Sequence, residues 1–168
     1  MINVAMVVLS LLLPPVHLAL TKGPWTRRNV LRLLLVYAFV FDVGAIGFLF
    51  GFNPHVFFAD EAAKLIGWPA GNPFQFEVGL HDGGWGILGF LCVLFGGGFW
   101  LATGIGWSFF MIGAAWGHIR DIVVAGNYAP YNFMPAFTDT FVPLWLLGLL
   151  FAYWRCGGFG DTLRPERA

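Results

Sequence analysis

Residues 87–106 read ILGFLCVLFGGGFWLATGIG, and this stretch decides the fold because three consecutive glycines interrupt a long apolar run. The apolar block around it, residues 76–120, is about twice as long as one bilayer crossing requires. A block of that length has to turn back, and the glycines at 96–98 are the least strained place for the turn. The stretch therefore predicts two membrane helices joined as a hairpin.

Three further apolar stretches complete the prediction of an all-α integral membrane bundle. A spanning helix needs about 20 mostly apolar residues. Five stretches meet that requirement: residues 2–20, 30–51, 76–95, 100–120 and 141–154. The last is the shortest, and we expect it to begin nearer Thr138. We accordingly predict a transmembrane bundle over residues 1–155 and a flexible cytoplasmic tail over residues 156–168.

The composition of the chain supports a membrane protein and excludes several other classes. Of the 168 residues, 58% are hydrophobic, 18% are aromatic and only 11% are charged, whereas about 25% of an average soluble domain is charged. Nine basic and nine acidic residues cancel, so we expect no nucleic-acid partner. Cys92 and Cys156 form no CxxC pair and are expected to be free structural thiols.

The basic residues predict the orientation of the bundle. Seven of the nine lie at the junction of the first two spans or after the fifth: Lys22, Arg27, Arg28, Arg32, Arg155, Arg164 and Arg167. With five spans these two regions share one side of the membrane, which the positive-inside rule assigns to the cytoplasm. The N-terminus is then outside and the C-terminus is inside. The alternative, a signal peptide at the start of the chain, lacks the basic residues that should precede its apolar region.

A short amphipathic segment is expected between spans two and three. Asn53 and Pro54 form a helix-start signal, and Gly67 and Pro69 end the segment. The residues from 54 to 66 combine apolar side chains with three charged ones, Asp60, Glu61 and Lys64. We predict a helix that lies on the outer membrane surface.

Ionisable residues inside the predicted spans provide the candidate site. Glu77 and His81 lie four residues apart on one face of span three, and His118 and Asp121 lie three apart on span four. Glu77 and His118 are equally far in sequence from the glycine turn, so an antiparallel hairpin would bring them to the same height. Small residues, Gly79 and Gly83 on one helix and Gly113 and Gly117 on the other, would let these helices approach closely.

Such a cluster is compatible with three kinds of chemistry. Histidine and carboxylate ligands suit a transition metal held between bundle helices; the predicted set is Glu77, His81, His118 and Asp121. A quinone head group could accept hydrogen bonds from the histidines and stack on Trp85 or Trp116. The same residues could instead bind and release protons. The plainer alternative is that these groups are interfacial and pair only with water, headgroups and one another.

Asp42 requires a separate explanation because it lies about 12 Å below the outer end of span two. A carboxylate at that depth is either protonated or paired. We predict Arg120 or His118 as its partner. His17 and His55 receive no functional assignment.

Three motifs of the hairpin region carry a resemblance: FQFEVGLH at 74–81, WGHIRD at 116–121 and GNYAP at 126–130. Over about residues 30–155 the chain resembles an uncharacterised bacterial family of small multi-span membrane proteins. More loosely it is similar to the DoxX-like group of helical bundles, some of which are linked to quinone-coupled redox systems. The resemblance implies an architecture and transfers no activity.

Three functional hypotheses remain open at this point. The chain could be an accessory subunit that docks in a larger membrane complex, or forms a homo-oligomer, with a metal or quinone at the outer end of the hairpin. It could be a membrane-embedded metal or redox enzyme that uses the same residues. It could also be a proton-coupled carrier of a small solute that uses Asp42 and the hairpin histidines, His81 and His118. The predicted location is the bacterial cytoplasmic (inner) membrane.

Overall fold

The protein is a bundle of long helices in a computed structural model that describes residues 2–160, with side chains from residue 4 onward. Four elements are long: α1 (Ile2–Thr21), α2 (Arg27–Ala38) with its continuation, α6 (Gly98–Ala125) and α7 (Pro130–Arg155). α2 continues as a π-helix over Phe39–Phe52, here called the π-segment. The described residues contain no β-strand, which confirms the predicted all-helical class.

Four helices among the described residues are long and apolar enough to cross a membrane: Val4–Thr21, Arg27–Phe57, Gly98–Ala125 and Pro130–Arg155. α5 (Phe74–Leu91) is 18 residues long but is not in this group. It carries Glu77, His81 and Asp82, which lower its hydropathy. The described structure therefore supports a multi-span membrane protein without fixing the number of spans.

The segment predicted as one amphipathic helix forms two helices, and its place on the membrane surface stays a prediction. α3 (Asn53–Phe57) and α4 (Ala59–Ile66) meet at Phe58, where the backbone leaves the helical region. α4 buries Ala62, Ala63 and Ile66 and exposes its charged residues. Gly67 ends the helix at a φ of 85°, a conformation that favours glycine.

The last helix begins earlier than predicted. α7 begins at Pro130 and continues through Pro135 and Pro143. Proline is well tolerated at the first turn of a helix, which is why the chain can start the helix directly after the Gly126–Pro130 turn region. Thr138 and Asp139 therefore lie inside the helix and do not cap its beginning.

The predicted pairing of α5 with α6 is wrong. α5 packs along the π-segment, and α6 packs along α7. The glycine turn at 96–98 does separate the two helices, and Gly97 has a φ of 61°, but α5 and α6 meet only at a few side chains. Trp85 lies over Gly106, and the ring of His81 lies 4.1 Å from that of Phe110.

Glycines on facing surfaces explain the choice of the π-segment as partner for α5. A Cβ added at Gly89 would lie 2.6 Å from the backbone nitrogen of Gly44, and one at Gly47 would lie 2.9 Å from the carbonyl oxygen of Asp82. The two backbones approach so closely that only glycine fits there. Gly113 and Gly117 on α6 face no neighbouring atom within 4 Å, so the predicted close contact through them does not form.

An apolar core fills the end of the bundle at which α2 begins and α7 ends. Phe39, Trp100, Trp107, Leu146 and Tyr153 are among its buried members. Trp100 donates a hydrogen bond to the Cys92 carbonyl at 2.8 Å. Phe159 packs against Tyr153 with ring centroids 5.1 Å apart. The flexible tail over residues 156–168 stays a prediction, and its residues 161–168 lie outside the described residues.

Candidate functional site

The polar groups of the interior begin at the end of the bundle where α4 lies against α7, here called the α4 end. Asp121 on α6 accepts hydrogen bonds from the indole of Trp68 at 3.1 Å and from the amide of Asn127 at 2.7 Å. Asn127 also donates to the carbonyl of Ile66 at 2.9 Å. Asp121 thus ties the residues that follow α4 to the α6–α7 connection, which is a structural role.

His118 lies one turn from Asp121 and connects α6 to the interior face of α7. Its Nδ1 is 2.7 Å from Oδ1 of Asn132, and its Nε2 is 3.8 Å from Oδ2 of Asp139. Trp68 stacks on the imidazole with ring centroids 6.4 Å apart. Asn132 and Asp139 are seven residues apart, which places both on one face of α7, and Asn132 is fully buried.

Asp42 lies deeper in the bundle and is only 1% exposed. Its Oδ2 accepts a hydrogen bond from the Ser10 hydroxyl at 2.9 Å, whereas its Oδ1 has no hydrogen-bond partner in the protein. The predicted partners lie elsewhere: Arg120 is exposed, and His118 pairs with α7. Ser10 comes from α1, which packs against the π-segment.

A small cavity of about 20 Å³ connects Asp42 with Asp139. Four helices line it through Val7, Asp42, Ile46, Trp107, Met111, Thr138, Asp139 and Val142. Thr138 donates a hydrogen bond to Oδ1 of Asp139 at 3.0 Å. The volume is enough for about one water-sized particle. Two carboxyl groups from different helices thus line one small space whose wall is mainly apolar.

Asp82 on α5 extends the acidic interior. It is partly buried, and its side chain lies against Gly51, where an added Cβ would come within 2.6 Å of the carboxyl. The carboxyl groups of Asp82 and Asp139 are close enough to interact electrostatically. Asp42, Asp82 and Asp139 are therefore contributed by three different helices to the same half of the bundle.

His55 and Gln75 form a second polar contact at the α4 end. Nδ1 of His55 and Oε1 of Gln75 are in a short hydrogen bond. Gln75 is 2% exposed, and its Nε2 has no hydrogen-bond partner in the protein. His55 also interacts electrostatically with His118, so the pair adjoins the His118 network.

The residues predicted to bind a metal do not converge. Glu77 is exposed, and His81 is exposed with its Nε2 accepting from the indole of Trp85 at 3.2 Å. His118 and Asp121 lie on α6 with other partners. Among residues 2–160, no group of three or more His, Cys, Asp or Glu side chains is arranged to hold a metal ion.

The two tryptophans predicted to hold a quinone are also apart from the polar interior. Trp116 is 68% exposed. Trp85 is half-buried between His81 and Gly106. Neither one lines the cavity between Asp42 and Asp139.

Sequence analysis missed four groups of this interior: Ser10, Gln75, Asn132 and Asp139. The usable signal was Pro130, because a helix that starts there places Asn132 and Asp139 on one face. Ser10 gave no such signal, because a serine in an apolar helix can bond to its own backbone, as it also does here with Val7 at 2.8 Å.

Helices long and apolar enough to span a membrane, packed around a buried polar interior, indicate the class of multi-span helical membrane proteins. Within that class, the chain belongs to DUF6790, a family of unknown function whose model matches residues 1–158. No curated protein and no solved structure matches the chain.

Proposed function

We propose that this chain is a proton-handling membrane protein in which a polar path leads from the α4 end to Asp42. The observation that carries the proposal is the cavity shared by Asp42 and Asp139. Two carboxyl groups that face one small space in an apolar interior cannot both keep a free negative charge at acceptable cost. One of them is expected to hold a proton or to be neutralised by a cation.

Basic side chains do not supply that neutralisation. Every Lys and Arg among residues 4–160 is exposed. Within the same range one basic side chain approaches an acidic one within 4 Å: His118 lies 3.8 Å from Asp139, and the contact is an ion pair when His118 is protonated. Histidine is also the side chain whose ordinary pKa lies nearest to physiological pH. His118 is therefore suited to pass protons between the α4 end and Asp139.

The path ends inside the bundle. Phe39 lies three residues before Asp42 and Val43 directly follows it, and both belong to the buried apolar core. A proton that enters by way of His118 and Asp139 reaches Asp42 and meets this core. The arrangement favours access from one side only, as expected of a carrier in one of its two states.

The proposal includes the topology predicted from the sequence. α5 has 18 residues and is about 27 Å long at 1.5 Å per residue, which is close to the bilayer thickness. With α5 as a fifth span, the positive-inside rule turns the N-terminus and the α4 end outward. We assign the chain to a bacterial cytoplasmic membrane and retain the likeness to DoxX-like bundles as a prediction.

The geometry favours the proton-coupled carrier over the other hypotheses. The metal, redox and quinone hypotheses depend on Glu77, His81, His118, Asp121, Trp85 and Trp116, whose described positions lend them no support. An accessory role in a larger complex, or a homo-oligomer, stays a prediction. The many exposed aromatic side chains are compatible with it.

Proton uptake by proteoliposomes tests the proposal. Purified protein is reconstituted with a pH-sensitive dye inside the vesicles, and a potassium diffusion potential, negative inside, drives proton entry. We expect uptake above that of empty liposomes, and loss of this excess in Asp42→Asn and in Asp139→Asn. Glu77→Gln, an exposed carboxyl on α5, is the matched control and should behave as wild type.

Infrared difference spectroscopy provides a second measurement that needs no transported solute. We expect a pH-dependent carbonyl band of a protonated carboxyl group in the wild type, which is lost or shifted in Asp42→Asn or Asp139→Asn and kept in Glu77→Gln. Uptake that is unchanged in both Asp variants, together with the absence of any such band, would refute the proposal.

A further inference from the structure

A second cavity lies beside the glycine turn, at the end of the bundle where α2 begins and α7 ends; it is here called the turn cavity. Its volume is about 200 Å³. α2 contributes Arg32 to its wall, the connection from α5 to α6 contributes residues 92–97, and Tyr153 and Gly158 close it on the side of α7. Unlike the space beside Asp42, the turn cavity has a mainly polar wall.

Arg32 gives the turn cavity its charge. It is the one residue of the wall with an ionised side chain at neutral pH. Among residues 4–160, no acidic side chain lies within 4 Å of it. An arginine stays charged at physiological pH and donates paired hydrogen bonds that match the oxygens of a phosphate or a carboxylate. The wall therefore fits an anion that carries such oxygens.

The charges of the chain are distributed unevenly, and this end of the bundle is basic. Five exposed basic side chains lie there: Lys22, Arg27, Arg28, Arg32 and Arg155. The acidic residues among residues 4–160 lie elsewhere, in α4, in the first halves of α5 and α7, near the end of α6, and at Asp42 in the middle of its helix. The resulting positive potential attracts anions to this end.

Exposed apolar side chains beside the cavity favour a lipid over a soluble anion. Val93, Leu94 and Phe95 belong to its wall, and each is more than half exposed. Trp25 and Trp154 are also more than half exposed at this end, and tryptophan is enriched where headgroups meet hydrocarbon. A ligand with a charged head and apolar chains would use both kinds of surface, whereas a soluble anion would use only the basic one.

We infer that the turn cavity binds the phosphate group of an anionic phospholipid, with Arg32 on the phosphate and the acyl chains against residues 93–95. Basic pockets between membrane helices bind lipid headgroups in this way. The volume of about 200 Å³ admits the phosphodiester and part of the glycerol that carries it. The inference does not depend on the proposed proton path, because the two cavities share no lining residue.

Thermal unfolding in detergent tests the ligand. The unfolding midpoint is measured with added phosphatidylglycerol, with phosphatidylcholine of the same acyl chains, and with inorganic phosphate. We expect only phosphatidylglycerol to raise the midpoint clearly, because a ligand of the folded state stabilises it. Phosphatidylcholine has no net charge, and inorganic phosphate has no acyl chains. An equal shift with phosphatidylcholine would overturn the preference for an anionic lipid, and an equal shift with inorganic phosphate would overturn the lipid itself.

Two arginines of α2 provide a matched pair of variants. Arg32 lines the cavity, whereas Arg28, one turn earlier and also exposed, does not. Arg32→Gln removes a charged donor, so we expect phosphatidylglycerol to bind about tenfold more weakly when the shift is titrated against lipid. Arg28→Gln should bind with nearly the wild-type affinity. Equal losses in the two variants would show that the basic end attracts lipid as a whole and that the cavity is not the site.

Filling the cavity tests its role with every charge in place. Gly96 lines the cavity, and a Cβ added there would meet no atom closer than the Trp100 ring at 4.0 Å. Gly96→Leu should therefore fold and lose the shift produced by phosphatidylglycerol. Gly98→Leu is the control, because Gly98 is not part of the wall and an added Cβ meets nothing within 4 Å. Binding that survives in Gly96→Leu would refute the site.

Discussion

At the scale of single residues, the sequence predicts the burial of Asp42 but not its hydrogen-bond partner. Its burial in a membrane helix followed from its position in an apolar stretch. Its partner could not be predicted in the same way, because hydrogen-bond partners come from helices that are distant in sequence. Asp42 pairs with Ser10, 32 residues away, and Ser10 is a small side chain without charge. The expected partners were charged residues, and Arg120 is exposed.

Removal of the Ser10 hydroxyl should destabilise the folded chain. Ser10→Ala leaves both oxygens of Asp42 without a protein partner, so we expect the free energy of unfolding to fall by about 1–2 kcal/mol. The measurement is equilibrium unfolding in mixed detergent micelles. Ser108→Ala is the control, since Ser108 is equally buried but its hydroxyl lies 3.4 Å from the Pro143 carbonyl. An equal effect of both substitutions would contradict a special role for the Asp42 bond.

At the scale of elements, helix positions were predictable and helix pairing was not. Apolar length located α1 within one residue of its end, and the glycine turn separated α5 from α6 as expected. Glycine spacing identified Gly79 and Gly83 as a surface for close approach, but a glycine surface does not specify which helix it contacts. Gly79 faces Val56 and Gly83 faces Phe52, so the surface was predicted correctly and its partner was not.

A pair of glycine substitutions tests the contact between α5 and the π-segment. Gly89→Ala would place a methyl group 2.6 Å from the Gly44 backbone nitrogen, and a backbone atom cannot move aside as a flexible side chain can. We expect a loss of about 1–3 kcal/mol in unfolding free energy. Gly113→Ala on α6 meets no atom within 4 Å and should gain up to about 1 kcal/mol from helix propensity. Similar effects at the two positions would argue against the observed packing.

At the scale of the whole molecule, composition predicted the class and could not fix the number of spans. Few charges and many aromatic residues indicate a membrane protein whatever the packing. Whether α5 spans the membrane is harder to predict, because its polar residues have different surroundings. Asp82 belongs to the interior of the bundle, whereas Glu77 is exposed. A hydropathy average treats the two carboxyls alike.

Labelling of single cysteines decides whether α5 crosses the membrane. In a background of Cys92→Ala and Cys156→Ala, a membrane-impermeant maleimide is applied to intact cells carrying Lys64→Cys or Leu94→Cys; both native side chains are exposed. Five spans place residue 64 outside and residue 94 inside, so we expect labelling of the first only. Labelling of both positions from one side would show that α5 does not cross.

The depth of Asp42 has an electrical consequence. It is the sixteenth residue of the 31-residue helix Arg27–Phe57, which is long enough to span the bilayer, so it lies near the middle of that helix. A charge that travels from the outer surface to Asp42 crosses about half of the transmembrane field, which corresponds to about 1 kcal/mol for each 100 mV of membrane potential. If protons reach Asp42 from outside, as we propose, occupancy of this carboxyl group is voltage-dependent. An energised membrane, negative inside, then fills it more readily than a depolarised one.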